Sequence, residues 1–291
     1  MRIPYRTIVR LYSTASVPAL VLLSSLLVVL WIHRSAVVSV HFLDVGQGDS
    51  IYVRLPDGVS MLIDGGPDNH VLDSLGHVMP WWDHSIDYVV ITHPDRDHFA
   101  GLLGVAEKYD VGTVLYNGDQ GDRYYEMMLD AFRTQGSQLK VFRRGDALAF
   151  RGGITMRFVW PPDGYVGSGR NDRSLVALLS WRSIDFLLTG DMPDREEELM
   201  LRAEQLPKIE VLKVGHHGSA HSTGEQLLSA IRPSRCVISA GADNAYGHPA
   251  PAVLERLADA GCHILETMRS GTITLMTDGF RAWQHLPRSR F

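Results

Sequence analysis

Residues 86–92, Ile-Asp-Tyr-Val-Val-Ile-Thr, form an apolar, β-branched run that leads directly into His93-Pro94-Asp95-Arg96-Asp97-His98. The run is long enough to be a strand buried on both faces. Four metal-ligating side chains follow it within six residues. Imidazole and carboxylate suit zinc, manganese or iron. A loop at the end of a strand can aim alternate side chains at one point, and Pro94 stiffens this one. A solvated surface run of Asp and His would not be expected directly after a buried strand. The chain must therefore fold so that a buried strand delivers a polar cluster to a sheet end.

The rest of the chain repeats that grammar. Strands are expected at 37–43, 50–55 and 59–64, the last two joined by the turn Pro56-Asp57-Gly58. A helix is expected over 99–108. In the second half, strands are expected at 155–160, 175–181, 184–188, 210–214, 235–239 and 272–276. Helices fall at 193–204, 225–231 and 250–260, the first with Pro193 at its start, where a missing N–H costs nothing. Two β-rich halves, each with helices, predict an α/β architecture of two packed sheets with helices outside. The loop 161–170, rich in glycine, reads as mobile.

Further ligating side chains stand at other strand ends. Asp191 ends Leu187-Leu188-Thr189-Gly190-Asp191. His216 and His217 follow Leu212-Lys213-Val214-Gly215, and His248 stands in Tyr246-Gly247-His248-Pro249. Singly, an Asp after a strand is a turn residue and a His before Pro is structural. Together they place His and Asp at strand ends in both halves of the chain, as a dinuclear metal site requires.

The two cysteines, Cys236 and Cys262, form no C-x-x-C pair, which excludes a cysteine zinc site. Two buried thiols are the favoured reading and a disulfide the alternative. The net charge of −5, with no Lys/Arg-rich tract, argues against tight non-specific gripping of duplex DNA.

Residues 17–32, VPALVLLSSLLVVLWI, carry no charge. With 14–16 and His33 the run reaches the ~20 residues of a spanning helix. Arg2, Arg6 and Arg10 precede it, so the short segment 1–16 is expected in the cytoplasm, 17–33 as an anchor, and 37–291 as an exported domain. A cleaved signal followed by secretion is the alternative. With one membrane segment at most, the chain is not itself expected to be a channel.

The ordered motifs identify a resemblance. Phe42-Leu43-Asp44-Val45-Gly46-Gln47-Gly48-Asp49-Ser50, Leu62-Ile63-Asp64-Gly65-Gly66, Thr92 to His98, Asn171-Asp172-Arg173-Ser174, Leu188-Thr189-Gly190-Asp191, Val214 to Ser219, and Gly241 to Pro249 run from about residue 40 to 250. The chain resembles the metallo-β-lactamase superfamily, and within it the hydrolase domain of ComEC/Rec2 competence proteins. The resemblance implies the αββα sandwich and one or two divalent metal ions, zinc or manganese. His93 and Asp95 would hold a first metal and Asp97 and His98 a second, with Asp191 bridging. His216 is the favoured later histidine, with His217 as the alternative. Asp95 stands where the general H-x-H-x-D-H signature has a second histidine, and Asn171 or Asp172 where many members have a mid-domain histidine. These exchanges of nitrogen for oxygen make the site harder and favour manganese or magnesium more than a histidine-rich site would. Asp64 either hydrogen-bonds a metal-holding histidine or caps its own turn. Asp44 and Asp49 are expected on the same face, and Ser219 and Asn244 near substrate. The implied activity is metal-dependent hydrolysis of a phosphodiester, DNA first among substrates, with Asp97 and Asp191 catalytic. DNA uptake would then require a separate polytopic channel partner. A hydrolase of another exported ester, such as a cell-wall phosphocholine ester, and a non-catalytic module binding nucleic acid or a membrane protein are the alternatives.

Overall fold

The structure is a computed structural model that describes residues 18–27 and 36–285. Residues 18–27 form a helix, α1, whose apolar side chains are exposed. No helix among the described residues is long and apolar enough to cross a membrane. The remainder of the expected span, residues 17 and 28–33, lies outside the described residues. The chain from Val38 onward is a compact unit of its own.

That unit contains two sheets. The first has eight strands: β1 (Val38–Phe42), β2 (Ile51–Arg54), β3 (Ser60–Ile63), β4 (Ser85–Ile91), β5 (Asp110–Tyr116), β6 (Gln138–Val141), β14 (Ile273–Thr277) and β15 (Ala282–His285). Their order is β15-β14-β1-β2-β3-β4-β5-β6. The second has seven: β7 (Ala147–Ala149), β8 (Thr155–Trp160), β9 (Val176–Trp181), β10 (Ile184–Leu188), β11 (Val211–Lys213), β12 (Arg235–Ile238) and β13 (His263–Glu266), in the order β13-β12-β11-β10-β9-β8-β7. In each sheet an antiparallel ladder gives way to a parallel one, from β3 through β6 and from β10 through β13. The parallel runs bring successive strand C-termini to one end of the sheet, and the ligating residues follow those C-termini.

The short helix α3 (Arg96–Phe99) follows β4, and helices α2 (His70–Val78), α4 (Leu102–Lys108) and α5 (Arg123–Gln135) cover the outside of the first sheet, where Leu75, Leu102 and Phe132 pack with Leu62, Val89 and Val114. Helices α6 (Asp194–Ala203), α7 (Glu225–Ile231) and α8 (Pro251–Asp259) cover the second, where Met200, Leu228 and Leu257 pack with Leu187, Leu212 and Cys236. Strand residues of alternate parity, such as Met61 and Ile63 on β3, are equally buried and point to the opposite face. All four residues of β3 are buried, as expected of a strand covered on both sides. The arrangement is the αββα sandwich.

Residues 109–154 carry no strand or helix expected from the sequence. The structure fills them with β5, α5, β6 and β7. Helix α5 carries clear boundary signals: Asp122 accepts the N–H groups of Tyr124 and Tyr125, and Gly136 ends the helix at φ 99°. Strand β6 lies at a sheet edge and is mostly exposed, so it has no alternating apolar pattern to read. Two expectations are corrected. Cys236 and Cys262 form a disulfide with a Cα–Cα distance of 5.9 Å, because Cys262 immediately precedes β13, the parallel neighbour of the strand carrying Cys236. Loop 161–170, expected to be mobile, is anchored. Tyr165 packs on Trp160 and donates a 2.8 Å hydrogen bond to Glu196, and Asp172 accepts the N–H groups of Ser168 and Gly169.

Candidate metal centre

The centre is built on Asp64, the first residue after β3. Its backbone is left-handed, φ 58°, and its carboxylate is buried. Oδ1 accepts the Thr92 N–H at 2.8 Å, and Oδ2 accepts the Thr92 hydroxyl at 2.7 Å. Oδ2 also lies 2.7 Å from His98 Nδ1. A carboxylate only accepts, so Nδ1 of His98 carries the proton and its Nε2 faces the centre. The Thr92 hydroxyl has spent its single proton on Asp64, so it accepts from His93 Nδ1 at 3.0 Å. His217 lies 3.0 Å from the carbonyl oxygen of Ser239 through Nδ1, which therefore also donates. Three imidazoles are thus held by their Nδ1 atoms.

The opposing Nε2 atoms converge on carboxylates. His98 Nε2 is 3.2 Å from Asp191 Oδ2, and His217 Nε2 is 3.4 Å from the same oxygen and 3.2 Å from Asp97 Oδ2. Asp97, His98, Asp191 and His217 each offer one ligand atom, and all four atoms lie within 4.8 Å of one another. His93 Nε2 faces Asp95 at 3.6 Å, beyond hydrogen-bond distance, and these two residues form a separate pair beside the four-residue group. The buried atoms His93 Nε2, His98 Nε2, His217 Nε2 and Asp191 Oδ1 have no hydrogen-bond partner among the described residues. Buried polar atoms are ordinarily satisfied, and a divalent cation is what this donor set of imidazole nitrogens and carboxylate oxygens would accept.

The electrostatics match. Burial alone would raise the Asp191 carboxyl, but His217 and His98 outweigh it and hold it well below the usual range. Burial would likewise depress His98, but Asp191 and Asp64 carry it well above the usual histidine range. Asp191 and Asp49 do the same for His217.

The backbone brings these groups together. Asp49 N–H donates to the carbonyl oxygen of Asp97 at 3.1 Å, and a Cβ on Gly48 would sit 2.2 Å from that oxygen, so only glycine allows this approach. His216 and His217 are consecutive left-handed residues, φ 48° and 54°, in the tight turn Gly215–Gly218. Each costs about 1–2 kcal/mol for an L-residue, strain of the kind that persists at functional sites.

The turn decides which histidine points inward. His217 is fully buried in the group. His216 is partly exposed, with Nε2 3.4 Å from Asn171 Nδ2 and 3.7 Å from Asp191 Oδ2. The structure thus gathers His217, the alternative of the sequence reading, with Asp97 and His98, and sets the favoured His216 beside Asn171. Asp172 is not turned to the centre: its Oδ2 accepts three hydrogen bonds from Ser168 and Gly169. The Asn244 amide is spent within its loop, on Gly241, Tyr246 and His248. Asp44 is exposed and closes its own turn on Gly46. Ser219 is buried beyond His217, its hydroxyl near the N–H of His221. His248 stands at the rim, its ring 5.8 Å from that of His216. Asp95, half-buried, accepts a 3.0 Å hydrogen bond from Arg170, and His93 and then Arg170 hold its carboxyl at about 2.

One member of the site has no role assigned to it from the sequence, although it stands in the motif before His216. Lys213 is fully buried, and its Nζ lies 2.5 Å from Asp49 Oδ2. Asp49 Oδ1 in turn lies 3.2 Å from His217 Nδ1. The available signal is a lysine in a strand otherwise apolar, between Leu212 and Val214.

The sequence profile of the Metallo-beta-lactamase superfamily matches residues 43–241. ComE operon protein 3 of Bacillus subtilis (strain 168) is 30% identical over 253 residues, covering 80% of this chain and 32% of that protein. Recombination protein 2 of Haemophilus influenzae is 28% identical over 236 residues, covering 79% of this chain and 28% of that protein. The chain therefore spans under a third of the length of either relative. Among solved structures, the metallo-beta-lactamase fold protein YhfI from Bacillus subtilis matches with a TM-score of 0.58 at 9% identity, over 84% of this chain and 100% of that one. The diiron β-hydroxylase CmlA from Streptomyces venezuelae matches with 0.56 at 16% identity, over 82% of this chain and 54% of that one.

Proposed function

The chain belongs to the metallo-beta-lactamase superfamily, and from that premise we propose that it is a membrane-anchored, extracytoplasmic, metal-dependent phosphodiesterase that cleaves DNA during competence. The observation that carries the reading is the group Asp97, His98, Asp191 and His217, in which His98 Nε2, His217 Nε2 and Asp191 Oδ1 are buried and unsatisfied among the described residues. A divalent metal held there would supply Lewis acidity and bring the pKa of a water into the neutral range. His93 and Asp95 are the residues placed to hold a second. Asp64 orients His98, and Asp49 with Lys213 orients His217, so that each imidazole enters the centre through Nε2. Arg170, exposed at the rim and bonded to Asp95, offers a guanidinium to a phosphodiester oxygen.

Two relatives bear the names Recombination protein 2 and Competence protein ComA, which supports DNA as substrate and a role in uptake. The Cys236–Cys262 disulfide supports an oxidising compartment. The apolar run 17–32 supports anchorage, and a separate polytopic protein would supply the channel. The net charge of −5 favours, as a second reading, a small exported phosphodiester over a long polymer.

The test uses the full chain in detergent micelles, loaded with Mn²⁺ or Zn²⁺. Single-stranded DNA, duplex DNA and a generic aryl phosphodiester are offered to it and to Asp191→Ala. Cleavage of DNA abolished by chelation and by Asp191→Ala is expected. Cleavage of the aryl ester alone would select the second reading, and failure of the wild type to bind metal would end both.

A further inference from the structure

The end of the sandwich opposite the metal centre carries a set of exposed aromatic and arginine side chains. Val38, through which the chain enters this unit, opens β1 there. Arg54, at the end of β2, pairs in register with Ser39 and binds Asp83 at 2.8 Å, which fixes the segment between α2 and β4 at the same end. In that segment Trp81 and Trp82 are 83% and 67% exposed, stacked edge to face with centroids 5.5 Å apart. Thr277 pairs with Val38, so the β14–β15 turn is at this end as well, with Phe280 69% exposed. Arg182, from the β9–β10 turn of the other sheet, lies over the Phe280 ring at 4.6 Å, and exposed Arg281 follows it. Strands of the first sheet separate the two aromatic groups: β14 to β4 spans four interstrand steps, roughly 19 Å. The seven residues of β4 put about 20 Å between the Trp81–Trp82 segment and His93.

Tryptophan exposed in pairs and arginine laid over an aromatic ring suit one environment, the headgroup layer of a phospholipid bilayer, where an amphipathic ring sits half in and a guanidinium meets phosphate. Chain continuity points the same way. The apolar run 17–32 ends six residues before Val38, a reach of at most about 22 Å. We infer that the Trp81–Trp82 and Phe280–Arg281 end of the domain rests on the phospholipid surface, so that the metal centre faces away from the membrane. The acidic side chains at this end are Asp83, paired with Arg54, Asp278, paired with Arg281, and three exposed carboxylates, Asp57 of the β2–β3 turn, Asp87 on β4 and Asp110 at the start of β5, so the contact is carried by the aromatic rings and the arginines and not by a net basic charge.

The inference rests on the membrane-anchored reading above, and one experiment separates the two. The full chain carrying Trp31→Phe is reconstituted in phosphatidylcholine vesicles containing phosphatidylglycerol, with or without bromine on the upper acyl carbons. Five tryptophans then remain, of which Trp81 and Trp82 are two. Flotation with the vesicles after carbonate washing is expected, with bromolipid quenching of about two fifths of the emission. The share of that quenching due to Trp81 and Trp82 should vanish in the same chain carrying Trp81→Phe and Trp82→Phe, leaving at most that of Trp181 and Trp283 beside the β14–β15 turn, without loss of flotation. Flotation with unquenched Trp81 and Trp82 would overturn this inference and leave the anchor standing, transferring the surface to a protein partner. Loss from the vesicles on washing would overturn the anchor and this inference with it.

Discussion

Replacing Lys213 with methionine tests the buried support beneath the metal centre. Methionine is one atom shorter but close in volume, and it removes the ammonium with its charge and donors, so any cavity left is small. The ammonium is fully buried and Asp49 is 2% exposed, so the variant leaves a carboxylate in the interior without its principal partner. Removing one partner of a buried pair costs about 3–5 kcal/mol. Here His217, 3.2 Å from the other Asp49 oxygen, compensates in part, which sets the expectation at about 3 kcal/mol, or about a hundredfold in the folding constant. The pH dependence carries a sign. Burial alone would raise the Asp49 carboxyl, but Lys213 and then His217 bring it to about 2, below its ordinary 3.8. In the intact chain Asp49 therefore contributes stability above pH 3.8 that is lost as pH falls toward 2. Without Lys213 the folded-state value rises, that contribution shrinks or reverses, and the deficit of the variant is largest at neutral pH and smallest near pH 3. Urea denaturation of both chains at pH 7 and pH 4, followed by far-ultraviolet circular dichroism, measures it. A deficit below about 1 kcal/mol at pH 7, or one that does not shrink on acidification, would refute the reasoning.

Three further outcomes follow from the same geometry. His217→Ala should weaken divalent metal binding by more than the roughly 10–100-fold typical of losing a supporting residue, and His216→Ala by less than tenfold; calorimetry giving the reverse order would reassign the ligand. Because His98 and His217 are held well above the usual histidine range without metal, binding should release protons and weaken as pH falls; titrations in buffers of different ionisation enthalpy that gave one common heat would contradict this. The disulfide closes a 26-residue separation, for which chain entropy gives about 3.5 kcal/mol, so Cys236→Ser with Cys262→Ser should lose about that much stability in urea, and an unchanged midpoint would remove the bridge from consideration.

The sequence alone determines the parts of this protein that are local. The run of β4 leading into His93 and His98 is readable because its last three residues, Val89, Val90 and Ile91, are buried on both faces, although Ser85 and Asp87 at its start are exposed, and because a polar cluster at its end must be used. The strands expected at 155–160 and 184–188 coincide with β8 and β10, each of which ends in three consecutive buried apolar residues. The edge strand β6 and the short β7 escape because exposed strands carry no buried face to mark them. At the site, the residue types and their strand-end positions are visible as sequence. What only the tertiary structure decides is direction. The choice between His216 and His217 depends on two left-handed backbone angles in the Gly215–Gly218 turn. The role of Asp64 depends on β3 and β4 being parallel neighbours, which sets its carboxylate against both Thr92 and His98. Lys213 becomes part of the centre only when the second sheet brings β11 against the loop carrying Asp49, and Cys236 meets Cys262 only when β12 and β13 pair. Each of these contacts joins residues from different strands or turns, and no local pattern records which side chain a distant neighbour will meet.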